Sequence, residues 1–164
     1  GSEMCIRDSI YCIGWGISSL VMELMQIRLT IMGCRAFLCR RGGLSLWEQV
    51  RGVREGDVVI VCELPSYAVE VTESVEIAHR NGAKVITMTD SAAAPVCRFA
   101  ELQLNVSANS PTFGSSIIGP IFLTHVLTSS LAVSLGAEAK KSFDEQASFL
   151  HDERIFHPIF GLKY

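Results

Sequence analysis

Three short polar segments hold the side chains that can grip a small ligand. The first is Gly14-Trp15-Gly16-Ile17-Ser18-Ser19, which follows an apolar run and leads into Leu20-Val21-Met22. A strand that ends in a Gly-rich turn at a helix start presents free N–H groups and the positive end of the helix dipole. That combination suits an anion or a polyhydroxy ligand. Ser18 and Ser19 add hydroxyls that both donate and accept, although either also serves as an ordinary N-cap. The second segment is Glu63-Leu64-Pro65-Ser66-Tyr67, and the third runs over residues 107–116, ending at Ser116 before a long apolar stretch.

Other chemistry-bearing residues are sparser. Glu63 is the one carboxylate in these segments near the proposed site. His79 falls on a charged helical face and reads as solvated, while His125 sits within the apolar stretch and reads as a hydrogen-bonded core or interface histidine. Tyr67 stands at a helix start, where it either stacks on a ligand or acts as a hydrophobic staple. The six cysteines (Cys5, Cys12, Cys34, Cys39, Cys62 and Cys97) form no C-x-x-C pair. They read as small core residues of a reduced protein, with no metal site and no cofactor expected.

The 164 residues are 49% hydrophobic and suffice for one domain with a real core. A net charge of −3 with scattered basic residues argues against direct nucleic-acid binding by this chain. The richest apolar stretch, residues 117–127, is interrupted by Gly119, Pro120, Thr124 and His125, so no membrane span is expected. Without a signal-like segment, the expected location is cytoplasmic. Gly1-Ser2 looks like a cleavage scar, and residues 1–9 are read as a lead foreign to the domain.

The elements that must position these residues alternate. Strands are expected over residues 10–13, 34–39, 58–62, 84–90 and 101–106, and helices over 20–31, 44–53, 68–80, 93–99, 117–135 and 137–155. Nearly all-apolar strands alternating with helices imply an α/β three-layer sandwich: a five-stranded parallel sheet flanked by helices. Ligands of such sheets sit beyond the carboxyl ends of the strands, near a switch in strand order. The three polar segments are expected to meet there. The helix from residue 117 is apolar around much of its circumference, which calls for a partner subunit.

Read together, several segments resemble the sugar isomerase (SIS) domain, and more narrowly the effector half of RpiR-type transcriptional regulators. Gly14-Trp15-Gly16-Ile17-Ser18 matches the family's G-x-G-x-S turn, and Gly56-Asp57-Val58-Val59-Ile60 its G-D-hydrophobic strand. Pro65-Ser66-Tyr67 with Glu70 is similar to a variant of the second loop. The run from Ala78 through Gly82-Ala83 and Val85-Ile86 to Thr89-Asp90-Ser91 matches a further motif, and Ser110-Pro111-Thr112-Phe113 with Ser116 resembles the third ligand loop.

The resemblance covers residues 10–136, leaves 137–164 as a helix and tail packing on the domain or a partner, and includes no helix-turn-helix. It implies a flavodoxin-like SIS fold, a phosphosugar-like ligand, and a homodimer or homotetramer. The ligand set it implies is Gly14, Gly16, Ser18, Ser19, Glu63, Ser66, Tyr67 and Ser116. Glu63 departs from the family, standing where a phosphate-binding serine is usual. A carboxylate about 4 Å from a phosphate costs on the order of 1 kcal/mol per charge pair in water and about 4 kcal/mol at an effective dielectric of 20. Glu63 therefore either faces a neutral or cationic end of the ligand or turns out to solvent.

The expected function is an effector domain that binds a carbohydrate derivative. A phosphosugar isomerase or lyase is the alternative, since tail residues such as His151 or His157 reach a neighbour's site in isomerases of this fold. No Glu/His pair stands at the family's catalytic positions, and no catalytic residue is assigned. A pure assembly module is the third reading.

Overall fold

In the computed structural model, which describes residues 8–157, five parallel strands form one sheet in the order β2-β1-β3-β4-β5. They are β1 (Ser9–Gly14), β2 (Arg35–Cys39), β3 (Val58–Glu63), β4 (Lys84–Thr89) and β5 (Leu102–Asn105). The helices are α1 (Ser18–Ile31), α2 (Leu46–Val50), α3 (Val69–Arg80), α4 (Ile118–Leu135) and α5 (Ala137–Asp152), with a 3-10 turn over Pro95–Phe99.

Period-two alternation along the strands divides the core into two layers. Ile13, Val59, Val61 and Val85 face one side, where Val71 and Val75 of α3 and Leu46 and Val50 of α2 cover them. Ile10, Cys12, Ile60, Cys62 and Met88 face the other, against Val21, Met22 and Met25 of α1 and the partly buried apolar residues of α4. The α/β sandwich expected from the sequence is thus the observed one.

Chain direction across the sheet reverses between β1 and β3, which pair in register from Ile10↔Val58 to Gly14↔Cys62. From that switch point α1 leaves toward one face and α3 toward the other. Their diverging first turns open a crevice beyond the strand ends.

One expectation needs correction. Strand β1 starts at Ser9, inside the segment read as a foreign lead, because the Ser9 N–H donates to the buried Asp57 Oδ1 at 2.9 Å. The long apolar helix expected from residue 117 is present. Helix α4 runs unbroken for 18 residues at a mean hydropathy of 1.6, long and apolar enough by length and composition to cross a membrane. Pro120 lies in the first turn, where its missing N–H breaks no bond. The hydroxyls of Thr124 and Thr128 donate to the carbonyls of Pro120 and Thr124 at 2.9 and 2.7 Å, hiding their polarity within the helix. Only 17% of α4 is buried. Cys5 lies outside the described residues; Cys12, Cys34, Cys39, Cys62 and Cys97 are free thiols.

Candidate functional site

A cavity of about 680 Å³ lies at the crevice and is lined by three connections far apart in the chain. The first loop contributes residues 15–18, the second 63–66 and 68, and the third 108–110, 114 and 115. The convergence expected of the three polar segments is therefore present. A second groove, between the end of α1 and α5, lies at the opposite, amino-terminal end of the strands, beside Ile10 and Arg35.

Gly14 closes β1, and a side chain there would meet the Ser18 carbonyl oxygen at 2.7 Å and the Ser19 Cα at 2.8 Å. Only a bare backbone lets α1 start this close to the strand. Gly16 has a φ of +59°, and a Cβ there would meet nothing within 4 Å, so its requirement is conformational. A tight turn follows, in which the N–H groups of Ser18, Ser19 and Leu20 donate to the carbonyls of Trp15, Gly16 and Ile17. The donors left without an intrahelical acceptor thus lie in the turn itself, over residues 15–17. Neither serine is the N-cap: that position is Ile17, with no side-chain cap. The Ser19 hydroxyl folds back onto the Gly16 carbonyl at 2.6 Å. Ser18 is buried, lines the cavity, and has its hydroxyl hydrogen-bonded beside the Cys62 sulfur.

The second loop is built around Glu63. Its side chain turns inward and is 4% exposed, which excludes the solvent-facing alternative. Oε1 accepts the Ala68 N–H at 2.7 Å, just ahead of α3, and so closes the loop over Pro65 and Ser66. Ser66 takes a φ of +79° within that closed turn and lines the cavity. Glu63 Oε2 is buried and accepts no hydrogen bond among the described residues. Burial pushes the Glu63 carboxyl up to about 7, against the opposing pull of the Ala68 N–H. Burial likewise raises the Cys62 thiol to about 12.

Four residues of the expected set lie outside the cavity wall: Gly14, Ser19, Tyr67 and Ser116. Gly14 is covered by α1, and Ser19 is spent on its own turn. The Tyr67 hydroxyl donates to Asp90 Oδ1 at 2.7 Å and its ring packs against the α3-side core. The Ser116 hydroxyl accepts from the Ile118 N–H at 3.3 Å, and Ser115 takes the place beside the cavity. The sequence reading missed Asn109 and Ser115; their position inside a polar loop was the only signal. His125 stands on the outward face of α4, away from the site.

No curated protein matches this sequence significantly. The family profile of the SIS domain matches residues 4–134. The chain belongs to the SIS domain family. This SIS domain is similar in fold to the sugar isomerase domain of an RpiR transcription factor from Sphaerobacter thermophilus, with a TM-score of 0.80 at 23% identity over 87% of this chain and 79% of that one. It is also similar to the NanR protein of Vibrio vulnificus, solved in complex with ManNAc-6P, with a TM-score of 0.76 at 24% identity. That match covers 88% of this chain but spans only 56% of NanR. A putative sugar-phosphate isomerase from Listeria monocytogenes shares the fold less closely, with a TM-score of 0.68 at 13% identity over 80% of this chain and 72% of that one. At these identities the likeness is one of fold.

Proposed function

We propose that this SIS domain is the cytoplasmic effector domain of a transcriptional regulator, binding a carbohydrate derivative in the cavity between its three loops. The observation that carries this reading is the cavity itself: Ser18, Ser66, Ser110, Ser115 and Asn109 line it together at the switch point of a parallel sheet. Such donors and acceptors match a polyhydroxy ligand. The nearness in fold to two regulators supports sensing over turnover. With the basic residues scattered, DNA contact falls to a separate domain.

The apolar outer face of α4, with Phe122 and Val126 exposed, supports a homodimer or a higher homo-oligomer.

One observation favours a second reading, a phosphosugar isomerase. A buried carboxyl with a pKa near 7 that lines a cavity has the properties of a general base. Against it, no His lines the cavity among the described residues, and Glu63 is the one carboxyl there for proton shuttling between adjacent carbons. Incubation with a panel of hexose and pentose phosphates in D2O separates the two. A sensor raises its melting temperature with a panel member and incorporates no deuterium. Deuterium exchange at carbon, abolished by Glu63→Gln, establishes the isomerase instead.

A further inference from the structure

Glu63 occupies the place at the head of α3 that a helix otherwise offers to an anion. Its Oε1 takes the Ala68 N–H at 2.7 Å, so the protein's own carboxyl already answers one donor and the dipole at that end. Among the described residues, no Lys, Arg or His lines the cavity. A phosphate placed against the second loop would meet a carboxyl with no cation among the described residues of the cavity wall to offset it. Meanwhile Oε2 is buried and accepts no hydrogen bond among the described residues, in a side chain only 4% exposed. A buried acceptor in this state lacks a donor, and Glu63 is among the residues that line the cavity, from which a ligand would bring one.

We propose that Glu63 determines ligand specificity: it keeps phosphate away from the second loop and receives an amine of the ligand on Oε2, so that the cavity selects amino sugars. This rests on the carbohydrate-derivative reading of the cavity. An ammonium group supplies the missing hydrogen bond in its stronger, charge-assisted form and compensates the buried carboxylate. A sugar hydroxyl supplies a weaker one, and a phosphate supplies none. Any phosphate on the ligand then lies toward the turn over residues 15–17, where α1 offers its own N–H groups.

The test is calorimetric titration at pH 8, above the Glu63 pKa of about 7. Glucose, glucosamine, mannose and mannosamine are compared, each free and as its 6-phosphate, on the wild type, Glu63→Gln and Glu63→Ser. Glu63→Gln keeps an acceptor for the Ala68 N–H and guards against misfolding. The wild type is expected to bind the amino member of at least one pair 10-fold or more tighter than its hydroxyl counterpart. Glu63→Gln is expected to erase that preference, and Glu63→Ser to tighten binding of a 6-phosphate at least 10-fold. Sugars that bind with no amino preference, a preference that survives in Glu63→Gln, or 6-phosphates that weaken in Glu63→Ser overturn the proposal and leave the sugar-binding reading intact. If no sugar binds any of the three proteins, the reading itself falls, and the proposal with it.

Discussion

The Asp57 carboxylate accepts the Ser9 N–H at 2.9 Å on one oxygen and the Arg54 N–H at 3.0 Å on the other. It thereby ties the first residue of β1 to the turn that launches β3, across 48 positions of sequence. Asp57 is 4% exposed, and its own carbonyl also accepts the Lys84 N–H at the start of β4. This explains why an aspartate stands in the G-D-hydrophobic motif: it sets the level at which three strands begin. Each charge-assisted hydrogen bond is worth about 1.5–3 kcal/mol, and truncation leaves two N–H groups without an acceptor. Asp57→Ala is expected to lower the unfolding free energy by about 3 kcal/mol or more. Asp57→Asn, which keeps one acceptor oxygen, costs roughly half as much. Urea denaturation followed by circular dichroism measures both.

The two glycines of the first loop respond differently to alanine. At Gly14 a methyl group runs into backbone atoms of Ser18 and Ser19 at 2.7–2.8 Å, and backbone cannot rotate away. Overpacking of this kind costs about 1–3 kcal/mol, and here it pushes α1 off the strand end. At Gly16 there is open space, and the penalty is a left-handed φ of +59°, about 1–2 kcal/mol. Gly14→Ala is therefore expected to lower the melting temperature and abolish ligand binding. Gly16→Ala lowers the melting temperature but leaves α1 in place, so its loss of binding is the smaller of the two. Equal binding losses in the two variants would contradict the close-approach account of Gly14.

Much of the fold was legible because its signals are local. Val58-Val59-Ile60-Val61 can hardly be anything but a doubly covered strand, and such strands alternating with helices allow few architectures. The convergence of the three loops followed from topology alone. What stayed hidden depended on distant partners. Nothing near Tyr67 shows that Asp90, 23 residues on, claims its hydroxyl. Nothing near Ser9 shows that Asp57 draws it into the sheet. Nothing near Thr124 and Thr128 shows that they fold their hydroxyls onto the carbonyls of α4 itself.

Helix α4 also carries a prediction about assembly. Ile118 is 78% exposed, Phe122 65%, Val126 45% and Val133 83%, and they share the side facing away from α1. The i, i+4, i+8 spacing of the first three aligns them as one stripe. If a second copy of the chain covers this stripe, a charge placed within it is buried unpaired. Phe122→Glu is expected to convert the wild-type oligomer to monomer at micromolar concentration in sedimentation-velocity runs. The spectrum of secondary structure stays unchanged, because Phe122 lies outside the two core layers. An unaltered sedimentation coefficient places the subunit contact elsewhere.

The buried Glu63 carboxyl makes stability depend on pH with a sign opposite to that of a salt-bridged acid. Its folded pKa is about 7 against an ordinary 4.5, so between those values the folded protein holds a proton that the unfolded chain has lost. The contribution is complete below pH 4.5 and disappears as pH rises through 7. A difference of this size corresponds to about 3 kcal/mol. The nearest titratable neighbours, the Cys62 thiol and the Tyr67 phenol, are held up to about 12 and stay neutral across the window. Wild-type stability is therefore expected to fall relative to that of Glu63→Gln as pH rises from 5 to 8. Denaturant titrations of the two proteins at pH 5 and pH 8 measure the difference. Parallel profiles would mean that the carboxyl reaches water in solution. A ligand amine that pairs with Glu63 offsets this loss, so a saturating amino sugar is expected to flatten the wild-type profile above pH 7.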